Sequence, residues 1–91
     1  MSVTVRIPTQ LRPLTAGEGE IVLEAATVRD VISGLNEKHP GIGERLLDES
    51  GELRRFVNVF VADEDVRFLE GLNTPLTSGQ SVSIVPAVAG G

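Results

Sequence analysis

The 91-residue chain carries few side chains able to do chemistry by themselves. Its single histidine, His39, stands directly before Pro40 at the expected end of a helix, where an imidazole suits the negative end of the helix dipole. A general base needs an orienting partner and a nucleophile beside it, and no serine here sits in a Gly-x-Ser-x-Gly elbow. Cysteine is absent, which removes disulfides, thiolate metal ligands and cysteine nucleophiles together. The acidic run Asp63-Glu64-Asp65 follows an apolar strand and reads as a solvated hairpin turn. A calcium loop would instead spread its oxygen ligands over about twelve residues. Gly17-Glu18-Gly19 and Gly41-Ile42-Gly43 lack the third glycine of a dinucleotide-binding loop and read as turns. No catalytic side chain, metal-ligand set or bound cofactor is expected, and nothing reads as an enzyme acting alone.

What remains is a backbone group. After Val85 the sequence runs Pro86-Ala87-Val88-Ala89-Gly90-Gly91, without a charged side chain and with little bulk beyond Val88. One reading is a frayed terminus, since chain ends are often small-residue rich. The other makes the carboxylate of Gly91 the reacting group. A carboxylate is a poor electrophile, because its charge repels nucleophiles and its oxygens leave badly. Adenylation by ATP would give it a good leaving group, open to attack by sulfur or another nucleophile. An activating enzyme would have to reach that carbonyl through a narrow channel. Two glycines suit such a channel, because a backbone without Cβ threads closely and takes any φ.

The rest of the chain has to position this end. Ninety-one residues make one small domain with a thin core. Hydrophobic residues are 41% and charged residues 23%, as in ordinary soluble domains. There is no apolar run of transmembrane length and no signal-peptide pattern, so a cytoplasmic protein is expected. A formal net charge of −5 and the absence of Tyr and Trp argue against nucleic-acid and anionic-membrane partners.

Val3, Val5 and Ile7 alternate with polar residues, as do Ile21 and Leu23, which predicts a hairpin of two strands. Pro8 and Pro13 close the first, and Gly17 to Gly19 supply a turn. Thr27 is a good N-cap with Asp30 three residues on, and Val28, Val31, Ile32 and Leu35 recur at helical spacing, predicting a helix over 28–38. A short second helix is expected over 42–47. Phe56 to Val61 is the strongest strand, Val66 and Phe68 offer a short partner, and Ser81 to Val85 form the last strand. Leu72 and Leu76 read as core plugs.

The order β-β-α-(α)-β-β-β calls for an α+β fold, a mixed sheet with one main helix packed on one face. With the first and last strands as central neighbours, that is the β-grasp, or ubiquitin-like, arrangement. The expected organisation is a β-grasp domain over residues 1–85 and a flexible tail over 86–91. Val31 and Ile32 should face the sheet. The opposite sheet face should carry Thr4, Arg6, Asn58, Phe60, Ser81 and Ser83, with Phe60 substantially exposed as the centre of a docking surface.

These features together resemble the ubiquitin-like sulfur carriers of the MoaD/ThiS family. The resemblance covers essentially the whole chain and rests most specifically on the Pro86-to-Gly91 ending and the approach Leu76-Thr77-Ser78-Gly79-Gln80-Ser81-Val82. Within the family the chain is most similar to the actinobacterial CysO type, which has counterparts of Arg54-Arg55-Phe56-Val57-Asn58 and Glu64-Asp65-Val66-Arg67-Phe68.

The resemblance implies that an E1-like enzyme consumes ATP to adenylate Gly91 and converts it to a thiocarboxylate. Gly90 and Ala89 would thread the partner's channel, while Val88 and Pro86 hold the direction of the tail. Phe60, Asn58 and Arg6 are the expected docking residues. The sulfur would go to a biosynthetic enzyme of cysteine synthase type or another sulfur-incorporating synthase, with a metalloprotease freeing the new cysteine. Ala87, where MoaD tails commonly have a second proline, counts against a small subunit of molybdopterin synthase. Conjugation of Gly91 to lysines of other proteins, and a plain β-grasp interaction module, are the readings from other classes.

Overall fold

Period-two alternation builds the sheet in the computed structural model, which describes residues 2–86; Met1 and 87–91, hence most of the expected flexible tail, lie outside the described residues. The strands are β1 (Ser2–Arg6), β2 (Glu20–Glu24), β3 (Val57–Val61), β4 (Glu64–Asp65) and β5 (Ser81–Pro86). They lie in the order β2-β1-β5-β3-β4. β1 and β5 are parallel neighbours at the centre, with Val5 opposite Val82, and the other pairings are antiparallel. The first and last strands therefore meet as the β-grasp order requires.

One face of this sheet is covered. Val3, Val5, Ile21, Leu23, Val57, Val59, Val61, Val82 and Ile84 are buried there. Helices α1 (Val28–Lys38) and α2 (Ile42–Leu46) supply the other half of the core through Val28, Val31, Ile32, Leu35, Ile42 and Leu46. Leu72 and Leu76 close its lower edge, as expected of plugs. α1 has the bounds its periodicity predicts. The Thr27 hydroxyl accepts the Asp30 N–H at 3.3 Å, and the Asp30 carboxylate reaches back to the Ala26 N–H at 3.1 Å, one residue beyond the usual capping box. At the other end Asn36 Oδ1 accepts the N–H groups of Gly41 and Gly43, at 3.1 and 3.0 Å. That carboxamide takes up two otherwise orphaned donors at the start of α2, and Gly41, at φ +104°, makes the reversal between the helices.

Three local expectations need correction. Residues Thr9–Thr15, where Pro8 and Pro13 are expected only to end the first strand, form a 3-10 helix with Pro13 inside it and Thr15 fully buried. The Thr15 hydroxyl bonds the carbonyls of Arg12 and Glu18, 3.2 and 2.8 Å away, which holds this segment closed. The β3–β4 hairpin turns on Ala62 and Asp63, both at positive φ (52° and 70°), so only Asp63 of the acidic run is in the turn and Glu64–Asp65 are themselves β4. Val66 and Phe68 do not continue that strand. The Asp65 carboxylate accepts the Arg67 N–H at 2.8 Å and turns the chain into a 3-10 helix, burying Val66 while Phe68 points out.

Candidate functional site

β5 is the strand that carries the tail, and its position is set from both sides. Val82 sits opposite Val5 of β1 and Val61 of β3, and Pro86 sits opposite Val57. The strand runs one residue further than its alternation suggested, through the half-buried Pro86. Proline has no N–H to give the ladder and its ring fixes φ, so the strand closes with a residue of restricted direction. Of the expected tail residues, Pro86 alone is described; Val88, Ala89, Gly90 and Gly91 lie outside the described residues.

The face opposite the helices carries the side chains expected there. The register aligns Glu20, Arg6, Ser83, Phe60 and Asp65 in one row across five strands. Arg6 and Glu20 are 4.0 Å apart with both side chains mostly in water, a pair of small energetic weight. Phe60 lies on this face but is only partly exposed, against the expectation of a largely exposed ring. Paired strands flank it on both sides, and the cross-strand neighbours Ser83 and Asp65 shield part of the ring. At the rim of the same face the Ser2 hydroxyl donates to Glu24 at 2.8 Å and holds that carboxyl below its ordinary value.

Asn58 has a structural role that its residue type alone did not disclose. Its Oδ1 accepts from Arg67 Nη1 at 2.6 Å, and the other guanidinium nitrogen donates to the Arg54 carbonyl at 2.9 Å. One arginine thus ties the approach to β3 against the turn after β4, beside the place where β5 ends. Arg67→Ala should lower stability by about 1 kcal/mol, the scale of charge-assisted bonds weakened by exposure. A chemical denaturation curve would check it; an unshifted midpoint would mean the clamp carries no weight.

His39 ends α1 as expected, and its Nε2 lies 3.5 Å from Glu18 Oε2 in the connection before β2. The contact joins the end of α1 to the connection before β2. Among the described residues no group of three His, Cys, Asp or Glu side chains is arranged to hold a metal ion. No helix among them is long and apolar enough to cross a membrane.

The strand order β2-β1-β5-β3-β4 with helices on one face is the ubiquitin-like β-grasp fold, and the chain belongs to the ThiS family, whose model matches residues 5–91. It is a sulfur-carrier protein of the ThiS/MoaD/CysO group. The chain is 54% identical over 93 residues to the sulfur carrier protein CysO of Mycobacterium tuberculosis, covering 100% of each. It superposes with a TM-score of 0.92 on a chain of the solved Amycolatopsis orientalis BexX/CysO complex, at 48% identity over 98% of this chain and 99% of that one. It is also 42% identical over 66 residues to small archaeal modifier protein 3 of Haloferax volcanii, covering 72% of this chain and 71% of that protein.

Proposed function

We propose that this protein carries sulfur on the carboxylate of Gly91, in the cytoplasm, as a co-substrate of partner enzymes. The observation that carries the reading is the end-to-end match to a sulfur carrier protein, Gly-Gly ending included in its span. The geometry supports it, since the last described strand is locked between β1 and β3 in the sheet and leads in sequence to Ala87-Val88-Ala89-Gly90-Gly91. The domain is then a handle and the tail the reacting part.

The chemistry proceeds in two displacements on an activating enzyme of E1 type. A carboxylate oxygen of Gly91 attacks the α-phosphorus of ATP, breaking the bond to the β-phosphate and releasing pyrophosphate. Sulfide then attacks the acyl carbon, and AMP leaves with the carbon–oxygen electron pair. The product is a thiocarboxylate whose sulfur is nucleophilic at neutral pH. On an acceptor synthase of cysteine synthase type this sulfur bonds to Cβ of an activated serine derivative as the serine's activating group leaves with its electron pair. The resulting thioester passes its acyl group from sulfur to the new amino acid's nitrogen. A metalloprotease hydrolyses that amide, freeing cysteine and restoring the Gly91 carboxylate. Gly90 and Ala89 fit the partner's channel because neither has bulk beyond Cβ.

Incubated with its activating enzyme, ATP and sulfide, the protein should gain the mass that separates sulfur from oxygen. Fragmentation should place the gain at Gly91. A gain on any other residue, or none while pyrophosphate is released, would overturn the reading.

The name of the Haloferax volcanii relative favours conjugation as the second reading, with Gly91 joined to a lysine of another protein. A conjugate leaves a lasting adduct of higher mass in the presence of activating enzyme and ATP, whereas a carrier returns unchanged after each transfer.

A further inference from the structure

The end of the sheet from which the tail departs concentrates positive charge and exposed aromatic surface in an otherwise acidic protein. The chain has eight Lys and Arg residues against thirteen acids. Three of the eight, Arg54, Arg55 and Arg67, gather here. Arg67 touches the Arg54 carbonyl and Asn58, Asn58 lies opposite Val85, and the next pair along is Val57 with Pro86. Phe56 is 59% exposed immediately before Val57, Phe68 is 85% exposed immediately after Arg67, and Val85 is also exposed.

The charges in this patch are not balanced internally. Arg54 Nε donates to a carbonyl, that of Glu44, at 2.9 Å, and Arg67 uses its guanidinium on an amide oxygen and a carbonyl. The nearby Asp65 carboxylate is occupied by the Arg67 backbone N–H at 2.8 Å. Among the described residues none of the three guanidinium groups is in an ion pair, and Arg55 makes no hydrogen bond at all. Arginine with phenylalanine is the composition of binding hot spots, whereas unpartnered phenylalanine at such exposure is poor surface chemistry.

We propose that Arg55, Phe56, Arg67, Phe68 and Val85 form a docking patch for an acidic protein surface with an apolar recess, the rim of the channel through which the activating enzyme takes the tail. The proposal rests on the sulfur-carrier reading. The remainder of the carrier surface is dominated by carboxylates, so an acidic rim would repel it everywhere except at this end. Complementary charge therefore steers the chain tail-first, and the two phenylalanines hold it once it arrives.

Arg55→Glu and Phe68→Ser test this, because neither side chain holds another part of the fold. ATP–pyrophosphate exchange by the activating enzyme would be followed against carrier concentration. Each variant should raise KM about tenfold or more with kcat unchanged. Added salt should raise KM for the unaltered chain, and less steeply for Arg55→Glu. Unchanged KM for both variants, beside an active unaltered chain, would overturn the patch and leave the carrier reading standing. Failure of the unaltered chain to support any exchange would overturn the carrier reading, and the patch with it. If the unaltered chain instead binds a mixed-sequence DNA duplex and Arg55→Glu does not, the patch is a nucleic-acid site and the protein partner is wrong.

Discussion

A chain lacking Gly91 should fold as the full chain does and deliver almost no sulfur. The sheet ends at Pro86, so the deletion removes no residue of the described fold. What it changes is reach. The carboxylate of Gly90 would fall short by one residue, about 3.3–3.6 Å. A misplacement of about 1 Å from reactive geometry costs about a hundredfold in rate. Loss of transfer should therefore be close to complete, with an unaltered thermal melt. One added residue beyond Gly91 should be as damaging unless a protease removes it first. Single-turnover thiocarboxylate formation, read by mass, separates these outcomes. Full transfer by either altered tail would mean that the terminal carboxylate is not the carrier group.

Ile32→Ala should have the largest effect on stability. Ile32 is 4% exposed and stands beside Val28, Val31 and Leu35 on the face of α1 that closes the core. Removing its outer carbons forfeits their burial and leaves a void, together about 2–5 kcal/mol. Small domains have only about 5–15 kcal/mol in total. The melting midpoint should drop by about 10 °C or more. An unchanged midpoint would place the face of α1 wrongly.

Much of this architecture was legible because periodicity reports burial directly. The alternation in Ser2–Arg6 and Val57–Val61, and the Val28, Val31, Ile32, Leu35 spacing, each follow from one face meeting the core. The segments that differ are set by local side-chain bonds that no period reports. Thr9–Thr15 is held by the Thr15 hydroxyl on two carbonyls, a bond no spacing announces, and Pro13 there reads as a stop although a 3-10 turn accommodates it. Val66-Arg67-Phe68 has strand-like alternation, but the Asp65 side chain diverts the backbone before a ladder can extend. At the site, Arg6, Asn58 and Phe60 were correctly assigned to one face. Their environments were not legible, because these depend on partners distant in sequence: Arg67 for Asn58, and β4 and β5 for Phe60. The exposure of Phe56 and Phe68 was not legible, since an aromatic in a strand-like stretch is ordinarily core.

The parallel pairing of β1 with β5 has a consequence in time. The two strands at the middle of the sheet are the first and the last to be synthesised, with Thr4, Val5 and Arg6 set against Ser81, Val82 and Ser83. Until β5 is made, β1 has only the β2 hairpin and β3 only its short partner β4, two halves with no shared ladder. The chain therefore closes its longest loop late, and such non-local closure makes folding slow for a domain of this size. A chain that ends before Ser81 lacks the strand that joins β1 to β3. On the sulfur-carrier reading proposed above, the strand that completes the sheet is also the one that precedes Gly91 in sequence, so a chain able to transfer sulfur is one that has already closed its sheet.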